Sequence, residues 1–276
     1  MHLPSEQRLI KGAVKISWPA WLGLLSLAAL LRRRNDEERR SLTAYCVYRE
    51  RNVKRVSKVV SGLPPNSAVH LHCLDGPGHG RLGPYTSSSG AGMRVPILQR
   101  LIDEHPPRPN DWILIFDDDV VFLRNGARRF PEVALRAGLD LCQPGHAPGS
   151  VITFPMTSAR FAAVARLTNF VEVGPVVLIS PAAALQLLPF PSDVQMGWGL
   201  DIEWSQFKRR GLQLGVVDAT PIRHLGSVGA MYNMQDERRI LRLYLDRAGA
   251  TSSYELAHDT GEVWRPWKKE PPWKVG

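Results

Sequence analysis

The sequence is poor in cysteine. Cys46, Cys73 and Cys142 are the three among 276 residues, with no CxxC pair and no Cys/His cluster around them. That excludes a disulfide-stapled scaffold and a zinc finger. An odd number of thiols in apolar runs points to a reducing compartment. A long apolar run is missing as well. Residues 18–31 (WPAWLGLLSLAALL) make a stretch of 14, whereas a bilayer-spanning helix needs about 20. Arg32, Arg33 and Arg34 follow it, where a secretory signal would carry a small-residue cleavage site. Most of the chain also lacks net charge. Residues 61–276 hold 22 Lys/Arg against 21 Asp/Glu, while residues 1–60 hold 13 against 5. The overall +9 therefore belongs to the beginning of the chain. The near-neutral remainder offers no basic groove and no stacking-aromatic pattern, which excludes a nucleic-acid partner. There is no internal repeat. A hydrophobic fraction of 44% excludes both a disordered chain and a polytopic membrane protein.

The basic beginning admits two readings. In one, residues 15–40 form an interfacial helix, with Trp18 and Trp21 at headgroup level and the arginines facing an anionic membrane surface. The protein would then be cytoplasmic and peripheral on the inner membrane face. In the other, the leucines dock on the body of the same protein. The expected organisation is an N-terminal helical segment (1–40), one α/β domain (41–250) and a Pro/Trp-rich tail (251–276).

From residue 42 onward, apolar strand-like runs alternate with helical patterns. Strands are expected at 42–48, 69–74, 112–116, 139–143, 175–180 and 214–222. Helices are expected at 51–60, 93–104, 125–137, 181–188 and from about 200 to 210. On the last of these, Leu200, Trp204 and Phe207 share a face. Such alternation predicts βαβ units and a mainly parallel central sheet flanked by helices. Residues 76–92 and 145–161 read as loops. The first of these and the tail are candidates to close over a ligand, with docking on the body favoured for the tail.

The chemistry concentrates in three places. The strand WILIF ends in Asp117, Asp118 and Asp119. Adjacent carboxylates at the mouth of a buried strand repel one another and are costly to desolvate, so a divalent cation such as Mn²⁺ or Mg²⁺ is the natural counter-charge. Ligands of open α/β sheets bind at the carboxyl ends of the strands, which is where these side chains fall. Next, GWGLDIE sets Asp201 and Glu203 at a helix start behind two glycines. Asp201 is thereby placed to orient or deprotonate a hydroxyl. Finally, His224 follows the strand containing Asp218 and is a candidate third ligand. His70 and His72, two apart on a strand, read as its polar face.

A hydrophobic strand ending in Asp-x-Asp, an apolar strand, a Gly-Trp-Gly acidic segment, and a strand followed by histidine together resemble the GT-A glycosyltransferases. The segments TNFVEVGPVVLIS (168–180), MGWGLDIEW (196–204) and GVVDATPIRHLG (215–226) look most like a poorly characterised GT-A-type family of plants and bacteria. The similarity covers roughly residues 42–226. It implies a single GT-A-like, Rossmann-like domain that moves a sugar from a nucleotide-diphosphate donor. Asp117 and Asp119 would hold the metal, with His224 at the position of the C-terminal metal-ligand histidine. Asp201 matches the acceptor-side acid that serves as base in many inverting members, with Glu203 as the alternative register. Asp75, Tyr48 and Arg49 would line the nucleotide pocket. The triple aspartate departs from a plain Asp-x-Asp, so the ligand pair stays open and Asp118 joins the donor-facing candidates. The acceptor, whether glycan, lipid or small molecule, is not specified.

Rival readings fit less well. A haloacid-dehalogenase-type phosphatase would need a later Gly-Asp-x-x-x-Asp pair that the chain lacks. A sugar nucleotidyltransferase would need a Gly-rich basic loop after the first strand, where this chain has YRERN. A catalytically inactive, membrane-associated binding protein with the same fold sits poorly with intact Asp117, Asp119, Asp201 and His224.

Overall fold

The computed structural model describes residues 41–78, 80–226 and 234–274. The basic and apolar segment 1–40, with its expected helix and membrane contact, lies outside them. Among the described residues, no helix is long and apolar enough to cross a membrane.

The chain is an α/β protein built on one ten-stranded sheet. Its parallel half consists of β1 (Leu42–Tyr48), β2 (Ala68–Cys73), the edge strand β3 (Thr86–Ser89) and β4 (Trp112–Phe116). All five residues of β4 are buried, which is why WILIF is apolar throughout rather than alternating. Beyond β4, strand β8 (Val176–Ile179) lies antiparallel between β4 and β6 (Leu141–His146). Then comes β9 (Leu214–His224), parallel to β6. β7 (Ala165–Thr168) and β10 (Asp259–Trp264) close that side antiparallel. The short β5 (Val120–Phe122) pairs with the far end of β9.

Helices cover both faces. On one, α1 (Val53–Ser61) and α3 (Gly126–Ala137) pack Val56, Val59, Phe130 and Ala134 against Ala44, Cys46 and Tyr48. On the other, α2 (Arg94–Glu104), α4 (Pro181–Leu187), α5 (Leu200–Phe207) and α6 (Met234–Ala248) pack around Tyr45, Ile113 and Ile115. The period-two alternation of β1 thus splits its side chains between two cores. The end of α3 follows from one residue. Gly138 takes the left-handed conformation (φ 67°), and the N–H groups of Gly138 and Leu139 close on the carbonyls of Leu135 (3.0 Å) and Ala134 (3.1 Å).

Several elements differ from the sequence expectation, and the reasons are physical. The expected loop 76–92 contains β3, whose sequence TSSS has no apolar residue to betray a strand. Its hydroxyls instead bond the neighbouring strand: His72 Nδ1 lies 2.8 Å from Ser88 Oγ. β6 runs on through Pro144 to His146, beyond the expected end at residue 143 and into the expected loop 145–161. β7 is short and carries a charged residue, so it has no apolar signature. Within the tail, β10 joins the sheet, Trp264 is buried, and the Trp273 indole N–H donates to the Ala137 carbonyl at 2.7 Å.

The charged residue of β7, Arg166, ties three strands together. Its guanidinium is fully buried, 3.1 Å from Asp218 on β9, paired with Asp259 on β10, and donating to the Ser158 carbonyl at 2.9 Å. Removing one member of such a group strands an uncompensated buried charge, at a cost of about 3–5 kcal/mol. Arg166→Ala should lower unfolding stability by that amount, read as a shifted urea midpoint. An unchanged midpoint would show that the cluster contributes nothing.

Candidate active site

At the carboxyl ends of β1 and β4 the structure opens a cavity of about 430 Å³. Asp117, Asp118, Asp119, Arg49, Arg94, His224, Glu172 and Asp201 all line it, with Val47, Phe154, Trp198 and Tyr254 among its apolar walls. Each of the three aspartates has its own cationic neighbour. Arg94, the first residue of α2, donates from Nε to Asp117 Oδ1 at 2.8 Å. Asp118, nearly buried, accepts the backbone N–H of Arg49 at 2.9 Å and has the Arg49 guanidinium 3.8 Å away. His224 Nε2 stands 3.4 Å from Asp119 Oδ1.

The last contact is made by strand pairing. β5 follows the aspartates directly and runs antiparallel to the end of β9, with Val120 opposite His224. The Leu225 N–H donates to the Asp119 carbonyl at 3.1 Å. Two glycines let the carboxylates sit close to backbone. A Cβ built on Gly226 would fall 1.8 Å from Asp119 Oδ2, and one on Gly174 would fall 3.0 Å from Asp117 Oδ2.

The electrostatics follow from this arrangement. Burial pushes the Asp117 carboxyl up; Arg94 pulls it back and Asp119 pushes it further, for a net rise. For Asp119, burial acts upward, but the contact with His224 outweighs it and holds the group below its ordinary range. His224 is the mirror case. Burial acts downward, and the carboxylates of Asp119, Asp117 and Glu172 carry it above the ordinary histidine value.

Asp119, in the turn before β5, and His224, at the end of β9, offer oxygen and imidazole donors side by side. Asp119 Oδ1 is buried, and its contact with His224 falls short of hydrogen-bond geometry. A divalent cation of the Mn²⁺ type fits such a pair, with further positions left to phosphate oxygens and water. Among the described residues, no three His, Cys, Asp or Glu side chains form a ready cage. Asp117 is engaged by Arg94.

Asp201 lies in the first turn of α5, with an exposure of 8%. Its carboxylate accepts the Ile202 N–H at 2.9 Å. Burial lifts its pKa to about 7. The segment before it is clamped by α6: the Met196 N–H reaches Glu237 Oε1 at 3.3 Å, and the Tyr244 hydroxyl donates to Asp193 at 2.9 Å. Gly199 sits at φ 98°, and a Cβ there would meet the Tyr244 ring at 2.6 Å, so only glycine fits.

Not every expected residue meets this cavity. Tyr48 points into the α1/α3 core, fully buried, with its hydroxyl 2.8 Å from Thr86 Oγ1; the strand's alternation turns it away while Val47 and Arg49 face the cavity. Asp75 is exposed and accepts the Glu50 N–H at 2.8 Å, outside the lining. Glu203 lies two residues beyond Asp201, near Asp193, Arg247 and Arg210 rather than in the cavity. His72 is buried against Ser88 and the Gly90 carbonyl. Asp218 is bound to Arg166.

Two lining residues have no sequence signal of comparable strength. Arg94 opens a helix with no motif around it. Glu172 is the single acid of NFVEVGP, four residues before β8. Burial, with Asp201 adding to it, lifts Glu172 to about 7. Behind it lies His146, buried on β6 with Nε2 3.8 Å from Glu172 Oε2, and burial lowers that imidazole to about 4.

No protein-family profile matches the sequence, and no curated protein matches it. Solved structures do. One is GalNAc-T7, in a crystal structure with UDP, GalNAc and Mn²⁺. It is 10% identical, at a TM-score of 0.52, over 78% of this chain and 50% of that one. Another is residues 1–349 of S. aureus TarS in complex with UDP-GlcNAc. It is 11% identical, at a TM-score of 0.50, over 78% of this chain and 68% of that one. The chain thus spans half the length of the GalNAc-T7 chain. At such identities the likeness is one of fold, and that fold is the GT-A glycosyltransferase fold.

The raised carboxyl of Asp201 has a consequence for stability. Its proton is held in the fold up to about pH 7, whereas in the unfolded chain it leaves near the ordinary 3.8. The resulting stabilisation is complete below the unfolded value and is lost as pH rises through 7. At about 1.4 kcal/mol per unit, it amounts to at most roughly 4 kcal/mol. Asp201→Asn removes the titration. Relative to wild type, the variant should gain stability between pH 5 and about pH 7 in urea unfolding and level off above it. A constant difference across that range would mean that Asp201 titrates normally.

Proposed function

We propose that this chain is a metal-assisted glycosyltransferase that moves a sugar from a nucleotide-diphosphate donor to an acceptor hydroxyl. One observation carries the reading. In a GT-A fold, strand pairing sets His224 beside Asp119 at the end of β4, in one cavity with Asp201 and Glu172. Asp119 and His224 would hold the cation, with Asp117 as the further carboxylate available to it. A bound divalent cation supplies positive charge to the departing diphosphate. Arg49 and Arg94 present their guanidinium groups to the same region while neutralising Asp118 and Asp117. Asp201 and Glu172 are the carboxylates of the acceptor end, walled by Phe154, Trp198 and Tyr254. Both known structures cited above hold a uridine nucleotide, and one holds Mn²⁺, which makes UDP with Mn²⁺ the first pair to try.

The setting in the cell is part of the proposal. The three cysteines are free and buried, in keeping with a reducing, cytoplasmic compartment. Residues 15–40 would supply the contact with an anionic inner membrane face.

Two measurements test these statements. A ligand at a hundredfold excess over its Kd adds about 2.7 kcal/mol, worth several degrees of Tm in a domain of this size. UDP should raise Tm by that much in the presence of Mn²⁺ and much less in EDTA. The Asp119→Ala/His224→Ala variant should lose the Mn²⁺-dependent part. A variant that keeps it would remove the metal assignment. Separately, the chain lacking residues 1–34 should fail to co-sediment with vesicles containing phosphatidylglycerol, and binding equal to the full chain would exclude the membrane role.

A further inference from the structure

Two carboxylates stand at the acceptor end of the cavity, and the geometry separates their parts. Asp201 turns its oxygens back to its own helix. It accepts the Ile202 N–H at 2.9 Å, and the N–H groups of Asp201 and Gly199 also act on the carboxylate. A carboxylate held by backbone donors at a helix start has fewer lone pairs free for a substrate proton than one without such donors. Glu172 is arranged differently. Its backbone N–H is fixed by Gln143 Oε1 at 2.6 Å, which sets where the side chain begins. The side chain is 14% exposed and lines the cavity, as does Thr153. Its Oε2 is buried on the His146 side and has no hydrogen-bond partner among the described residues, so the exposed part of the side chain is the rest of it. His146 Nε2 stands 3.8 Å from that oxygen, and both ring nitrogens of His146 are also without hydrogen-bond partners there. The charges of Asp201, His224 and Asp117 all act on Glu172.

We infer that Glu172, and not Asp201, is the residue that takes the proton of the attacking hydroxyl, while Asp201 positions the Gly197–Leu200 turn. The inference rests on the glycosyltransferase reading above. In the step, the acceptor oxygen forms its bond to the anomeric carbon as its proton passes to a Glu172 oxygen. The bond from the anomeric carbon to the diphosphate oxygen breaks, and its electron pair leaves with the nucleoside diphosphate. Water can replace the acceptor hydroxyl in the same step, so the assignment is testable without knowing the acceptor.

The test measures release of nucleoside diphosphate from a panel of UDP-, dTDP- and GDP-sugars with Mn²⁺ and water as acceptor. It uses the full chain as wild type, Glu172→Gln, Glu172→Ala and Asp201→Asn. Loss of a general base costs about 10²–10⁴-fold. Glu172→Gln should therefore slow release at least about 100-fold, with nucleotide affinity, read by thermal shift, unchanged. Formate should restore part of the rate in Glu172→Ala, because a small carboxylate can enter the space vacated; a merely structural residue shows no such rescue. Asp201→Asn should retain more activity than Glu172→Gln. The assignment is overturned if Glu172→Gln matches wild type, if it loses nucleotide affinity instead, if formate gives no rescue, or if Asp201→Asn is the slower of the two. It is equally overturned if wild type binds a donor yet releases nothing. Failure of wild type to bind any nucleotide with Mn²⁺ would instead reject the glycosyltransferase reading itself.

Discussion

Three adjacent carboxylates at the end of a buried strand are the constraint around which the molecule is arranged. Asp117, Asp118 and Asp119 follow five buried residues of β4 and cannot all retreat into water. Each is answered by a different element: Arg94 from the start of α2, Arg49 from the end of β1, and His224 from the end of β9. Isolated, such charges would be expensive to hold at this depth; compensated, they fix the relative placement of three parts of the chain. The compensation is uneven. Arg94 and Arg49 carry permanent charge, whereas His224 is a titrating group and also a metal donor. The aspartate proposed for the cation is thus the one whose neighbour is a titrating imidazole.

The same unevenness separates the cavity into two ends. Toward β1 and α2, the charges are matched by arginines. Toward α5, Glu172 and Asp201 have no Lys or Arg ion pair among the described residues, and both are lifted to about 7 by burial. A carboxyl near neutrality in an apolar surround exchanges protons at the pH where a cell works. The clamps from α6 onto residues 193–199 and the glycine at 199 show how much structure is devoted to holding this end in place.

The periodicity of the chain was a sound guide where burial is regular. β1, β4, β8 and helices α1 to α5 fall close to their expected spans, because apolar runs and capping residues report local environment directly. It failed for β3, β5 and β7. These strands are only three or four residues long, too short for a period to register, and β3 has no apolar residue at all. Among the candidate residues, Asp117, Asp119, Asp201 and His224 stand at the ends of regular elements, where the sequence marks them, and the structure gathers them in one cavity. Arg94 and Glu172 were not legible, since nothing local distinguishes them from surface charges.

What the sequence determined by itself is an α/β chain with a basic beginning, a near-neutral body, and a strand that ends in more negative charge than a buried edge can leave unanswered. Only the tertiary structure decided which cation answers which aspartate, that Tyr48 turns into the core while Arg49 faces the cavity, and that Glu172 joins Asp201. The reason lies in range. Burial patterns are written at spacings of two to four residues, whereas the His224–Asp119 contact depends on the antiparallel register of β5 and β9. A shift of one residue in that register would turn the imidazole to the other face of the sheet.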